Sequence, residues 1–113
     1  MKYLNDRARL EQLAHECHYS VESLAEVIGL NPRQFRYLFE KEYGISPKSW
    51  LIECRSRRAI NMIQCGNKTA EICEELGYSN PGHLRTEIKS VTGVTPKQLD
   101  LMMKMNAARM HKK

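Results

Sequence analysis

The sequence predicts an all-α protein, and three observations carry that expectation. Apolar residues recur at i, i+3, i+4 and i+7, as in Val21, Leu24, Ala25 and Ile28, which is the period of one helix face. Asn31-Pro32, Ser46-Pro47, Asn80-Pro81 and Thr95-Pro96 each couple a capping side chain to a proline. The side-chain oxygen satisfies an orphan amide, and proline suits the first helical position because no N–H is needed there. One stretch, finally, is written twice. Leu24-Ala25-Glu26-Val27-Ile28-Gly29, Asn31-Pro32 and Gly44-Ile45-Ser46-Pro47-Lys48 return as Ile72-Cys73-Glu74-Glu75-Leu76-Gly77, Asn80-Pro81 and Gly93-Val94-Thr95-Pro96-Lys97. Gly77 follows Gly29 by 48 positions and Asn80 follows Asn31 by 49, so the second copy gained one residue at the turn.

The first helix is expected from Leu4 to about Cys17, with Leu10, Leu13, Ala14 and Cys17 on one side. Ser20 caps the next, which ends at Gly29, a residue free to take positive φ. Asn31-Pro32 opens a third helix whose Phe35, Leu38 and Phe39 face inward. Pro47 to about Gln64 forms a helix of about 18 residues, or about 27 Å at 1.5 Å per residue, stopped by Gly66-Asn67. Trp50, Leu51, Cys54, Ala59, Met62 and Ile63 are its expected core contacts, and Arg55, Arg57 and Arg58 interrupt that pattern. The second copy repeats the helix pair, with Cys73 standing four residues ahead of Gly77 as Ala25 does ahead of Gly29. Leu84, Ile88 and Val91 are expected to face inward there. The methionine-rich segment 97–113 is expected to continue as an amphipathic helix with a frayed end.

At 113 residues the chain has room for one compact domain, or for two very small ones sharing a core. No apolar run approaches the roughly 20 residues that span a bilayer, and the N-terminus lacks a signal-peptide core, so the expected location is cytoplasmic. A net charge of +5 and a pI near 9.1 favour a polyanionic partner. Cys17, Cys54, Cys65 and Cys73 form no C-x-x-C pair and read as small buried apolar residues. His15, Cys17 and His18 are close in sequence, but on one helix they diverge and no second ligand pair follows, so no metal is expected. With no nucleophile elbow or phosphate-binding glycine loop, neither an enzyme nor a cofactor is expected.

Two helices meeting at a glycine turn can brace against a DNA backbone and present the second helix to the major groove. In the first copy, inward Phe35, Leu38 and Phe39 leave Arg33, Arg36, Tyr37 and Glu40 outward. Arg36 suits a guanine edge, Gln34 an adenine edge, and Tyr37 a phosphate or a thymine methyl. In the second, Gly82, Arg85, Thr86 and Lys89 face outward, with His83 at the margin. Gly82 lets the backbone approach closely. Lys48, Arg57, Arg58 and Lys97, with the amides at the helix starts of Pro47 and Pro96, are candidate phosphate contacts.

The copies, the helix between them and their spacing resemble the DNA-binding domain of the AraC/XylS transcription regulators, over residues 4–100. The most specific part runs from Ile72 through Gly77-Tyr78-Ser79 to Gly93-Val94-Thr95-Pro96, and Arg55, Ala59 and Met62-Ile63 match the linker helix. The resemblance implies a bacterial regulator of about seven helices. Its helix-turn-helix subdomains would span about 4–45 and 67–100, joined by a linker helix at about 47–64, with a tail over 101–113. It places recognition contacts on Arg33, Arg36 and Tyr37 and on Gly82, Arg85 and Thr86, and admits RNA polymerase as a further partner. Some positions depart from the family pattern. Tyr37 and Thr86 stand where arginine is frequent, Leu84 and Ile88 where phenylalanines are usual, Ser56 where leucine is usual and Cys73 where alanine is usual. Arg85 and Lys89 are accordingly expected to serve mainly phosphates.

About 20 residues precede the first copy, too few for the sensing or dimerisation domain that family members commonly add, and no effector site is evident. The expectation is a stand-alone regulator or the excised DNA-binding part of something longer. The rival reading is a helical protein-interaction module without DNA readout, using the adaptable methionines Met102, Met103, Met105 and Met110.

Overall fold

The computed structural model describes residues 6–110, apart from the side chains of residue 103 and residues 106–110. Seven helices account for the described residues: α1 (Arg7–Glu16), α2 (Val21–Ile28), α3 (Pro32–Tyr43), α4 (Pro47–Gln64), α5 (Thr69–Leu76), α6 (Pro81–Thr92) and α7 (Pro96–Met110). The expected all-α class is therefore the observed one. None of these helices is long and apolar enough to cross a membrane. Asp6 caps α1 by accepting from the Arg9 amide, and the expected start at Leu4 lies outside the described residues. The chain divides into two compact units, Met1–Arg55 and Ser56–Lys113, with the boundary inside α4.

In the first unit, α2 packs on α3. Its core joins Leu10, Leu13 and Ala14 of α1 to Leu24, Ala25, Phe35, Phe39, Trp50, Leu51 and Cys54. Phe39 is the hub, its ring centroid lying 5.6 Å from Phe35, 5.4 Å from Trp50 and 4.7 Å from Tyr43. Phe35 and Phe39, both fully buried, each contribute about 1.5–3 kcal/mol from burial alone. His18 and Tyr19 link α1 to α2 with φ of 53° and 59°, left-handed values that cost a residue with a side chain free energy. The Tyr19 hydroxyl reaches Nδ1 of His15 at 3.0 Å and closes this link.

In the second unit α5 packs on α6 and α6 on α7. Its buried residues are Ser56, Ala59, Ile63, Ile72, Cys73, Leu76, Tyr78, Leu84, Glu87 and Ile88. Val91, expected to face inward, is 44% exposed. The inward row of α6 is Leu84, Glu87 and Ile88, at i, i+3 and i+4; Val91 continues that row at i+7 but lies in the last turn of the helix, where it stays exposed. The cysteine expectation also needs correction, since Cys65 is exposed and Cys17 is half-buried, whereas Cys54 and Cys73 are buried.

Both turns close in the same way. Gly29 and Gly77 take φ of 92° and 79°, and the carbonyl of the small residue four positions earlier accepts two amides in each. Ala25 accepts from Gly29 and Leu30 at 3.0 and 2.9 Å, and Cys73 accepts from Gly77 and Tyr78 at 3.0 Å each.

Candidate nucleic-acid interface

The N-terminus of α3 is fixed by a reciprocal cap. Asn31 Oδ1 accepts from the Gln34 amide at 2.8 Å, and Gln34 Oε1 accepts from the Asn31 amide at 3.3 Å. Gln34 is exposed, as expected of a reader, but its acceptor oxygen is engaged in this cap. A bidentate adenine contact would have to give that bond up. Arg33, Arg36, Tyr37 and Glu40 all lie on the exposed side of α3, with Tyr37 66% exposed.

Arg36 also lines a shallow depression of about 330 Å³ with Val21, Glu40, Ser46, Pro47 and Lys48. Two of the expected DNA-contacting cations, Arg36 and Lys48, thus flank the start of α4, where Ser46 Oγ accepts from the Ser49 amide at 3.1 Å. A helix start, with its aligned peptide dipoles, and two cations together suit a phosphate oxygen. Glu40 on the same rim limits how many anions can approach.

In the second unit Asn80 Oδ1 accepts from the His83 amide at 2.8 Å and caps α6. A Cβ on Gly82 would lie 3.0 Å from that capping oxygen, so the glycine clears space for the cap as well as baring the helix start. Arg85, Thr86 and Lys89 are exposed, and His83 is half-buried, its ring standing nearly perpendicular to Tyr78 at 5.2 Å between centroids. Lys97 is exposed at the start of α7, where Thr95 and Gln98 cap each other at 3.2 and 2.9 Å. Arg57 and Arg58 are exposed on α4.

Beneath the exposed face of α6 lies a polar group that sequence reasoning did not anticipate. Ser56 Oγ donates to Glu87 Oε2 at 3.3 Å, and the Tyr78 hydroxyl donates to the same oxygen. The signal was present, since Glu87 shares the helical period of Leu84 and Ile88. A carboxylate at a core position reads as an error of period until its partners are seen.

Residues 24–101 match the model of the helix-turn-helix domain family, and the chain belongs to that family, in its AraC-type branch. Among curated proteins it is similar to the virulence regulon transcriptional activator VirF of Yersinia enterocolitica, at 27% identity over 107 residues, covering 89% of this chain and 40% of the relative. It is also similar to the invasion protein InvF of Salmonella typhimurium, at 28% identity over 87 residues, covering 76% of this chain and 40% of the relative. The chain therefore spans well under half the length of these relatives. Its fold is also that of the C-terminal domain of the two-component response regulator yesN from Fusobacterium nucleatum, with a TM-score of 0.74 at 23% identity, covering 85% of this chain and 98% of that one.

Proposed function

We propose that this chain is a transcription regulator that binds double-stranded DNA sequence-specifically, placing α3 and α6 in successive major grooves. The carrying observation is that each unit follows its glycine turn with a capped helix whose outer face is basic: Arg33 and Arg36 on α3, Arg85 and Lys89 on α6. Family membership supports DNA as the partner, and VirF, a similar protein, is by its name a transcriptional activator. The two units share α4, an 18-residue helix about 27 Å long.

In this reading Arg36 is the principal base reader, as a guanidinium fork that matches guanine O6 and N7. Arg33 and Tyr37 flank it, and Gln34 reads only if its cap opens. On α6, His83, Arg85, Thr86 and Lys89 meet the groove beside Gly82. Lys48, Arg57, Arg58 and Lys97 neutralise phosphates and hold the register.

Fluorescence anisotropy on a duplex selected from a random pool tests this. Log K should fall linearly with log salt, with a slope of about −0.9 per neutralised phosphate. Failure to bind any duplex at low salt would sink the proposal. The rival, a protein-interaction module, draws on Leu101, Met102 and Met105 of α7, which are 50–59% exposed. It predicts that substituting those residues with serine abolishes partner binding while duplex affinity is absent from the start.

A further inference from the structure

Glu87 is a buried carboxylate on the inner face of a helix whose outer face is proposed to meet DNA, and no base or phosphate contact needs it there. A buried charge is costly unless hydrogen-bonded, and this one accepts from two hydroxyls on separate elements. Ser56 belongs to the second half of α4, and Tyr78 to the turn between α5 and α6. The carboxylate therefore ties α6 to α4 and to the α5–α6 turn at one oxygen.

Tyr78 carries the connection outward. Its hydroxyl reaches Glu87, while its ring stands against His83, one helical turn before Glu87 on α6. The other side of the His83 ring is also held, because the Ser79 amide donates to Nδ1 at 3.4 Å. A neutral imidazole that accepts at Nδ1 carries its proton on Nε2. The ring is thus oriented by Tyr78 and given one tautomer by Ser79, which leaves it a hydrogen-bond donor at Nε2.

We infer that Glu87 is a positioning residue for DNA reading by the second unit: through Tyr78 and Ser56 it fixes the start of α6 and holds His83 as an Nε2–H donor suited to a purine acceptor such as N7. This rests on the DNA-binding reading above and assigns a chemical task to its second recognition helix. Glu87 itself touches no base. Its effect passes through Tyr78 to the groove-facing edge of α6.

Two measurements on the full chain test the inference, and one of them needs no DNA. Long-range proton–nitrogen NMR of the free protein should show His83 as the Nε2–H tautomer. Tyr78→Phe, which removes a single oxygen, and Glu87→Ala should both turn this into a tautomer mixture. Glu87→Gln keeps an acceptor oxygen for the hydroxyls and should retain the wild-type signal. An Nδ1–H tautomer or an equal mixture in the wild type would overturn the inference whatever the DNA result. The second measurement compares a selected duplex with one scrambled only where the second unit reads. Tyr78→Phe should lower the preference for the intact duplex about five- to tenfold, the size of one lost base contact, with Glu87→Gln close to wild type. Affinity for the scrambled duplex should stay unchanged. Equal weakening on both duplexes, in step with a lower melting temperature, would make the cluster merely structural and overturn the positioning role. Failure of the wild-type chain to bind any duplex would instead overturn the DNA reading, and the base-reading part of this inference with it.

Discussion

Arg36 is the residue on which the proposed chemistry concentrates, being exposed on α3 and at the rim of the depression by the start of α4. Arg36→Ala should cost about 1–3 kcal/mol in duplex binding and relax selectivity at one base pair, as read by anisotropy against single-base variants. Equal loss on every sequence would make it a phosphate contact. The thiols give a different kind of prediction. Burial pushes Cys73 above the ordinary thiol value of 9.0, and burial with Glu16 nearby does so for Cys17. Burial and then Glu42 raise Tyr43 above 10.0, against the opposing Arg7 guanidinium. The folded chain then holds these protons in a window where the unfolded chain has released them, so stability falls as pH climbs through it. Urea unfolding at about pH 7.5 and about pH 9.5 should give the lower midpoint at the higher pH. At neutral pH, exposed Cys65 should react with a thiol reagent well before buried Cys73. The outward placement of Arg33, Arg36 and Tyr37 was legible because Phe35 and Phe39 fix the phase of α3. Glu87 was not, since its hydroxyl partners Ser56 and Tyr78 lie far from it in the sequence.

The helices themselves were legible almost to the residue where a cap and a proline coincide. Asn31, Asn80, Ser46 and Thr95 all accept from the amide three positions on. The start of α5 lacks such a device. Lys68 occupies its cap position without a side-chain bond, and only the Glu71 carboxylate reaches back, to the Lys68 amide at 3.3 Å. Replacing Lys68→Ser should therefore stabilise the chain by about 1 kcal/mol, seen as a higher urea midpoint with an unchanged slope. Gly29→Ala tests the opposite case. A Cβ there meets nothing within 4 Å, so the penalty is the left-handed backbone alone, about 1–2 kcal/mol. A neutral result would mean that the turn can relax to another conformation. Val91 shares the face of Leu84 and Ile88 by period but lies in the last turn of α6, and period alone does not tell how far along a helix the packing extends.

The chain as a whole separates into two compact units, with the division falling within α4. Their proposed shares of DNA binding are unequal, since Arg33, Arg36 and Tyr37 correspond to Gly82, Arg85 and Thr86. Arg85→Ala should weaken binding on all sequences alike and reduce the salt slope by about one, as a phosphate contact does. Unchanged affinity and slope would reduce the second unit to a brace. The turns of the two units also differ in length, with Leu30 alone between Gly29 and Asn31 but Tyr78 and Ser79 between Gly77 and Asn80. That extra residue makes the recognition helices non-interchangeable parts. A graft of α3 in place of α6 would arrive with Phe35 where Leu84 stood and no carboxylate under Tyr78, whose hydroxyl would then lose the acceptor it has now. On the proposed reading, redesigning the specificity of the second unit means editing Thr86 in place and leaving the phosphate contacts Arg85 and Lys89 alone, while Tyr78, Ser79, His83 and Glu87 travel together as a single cassette.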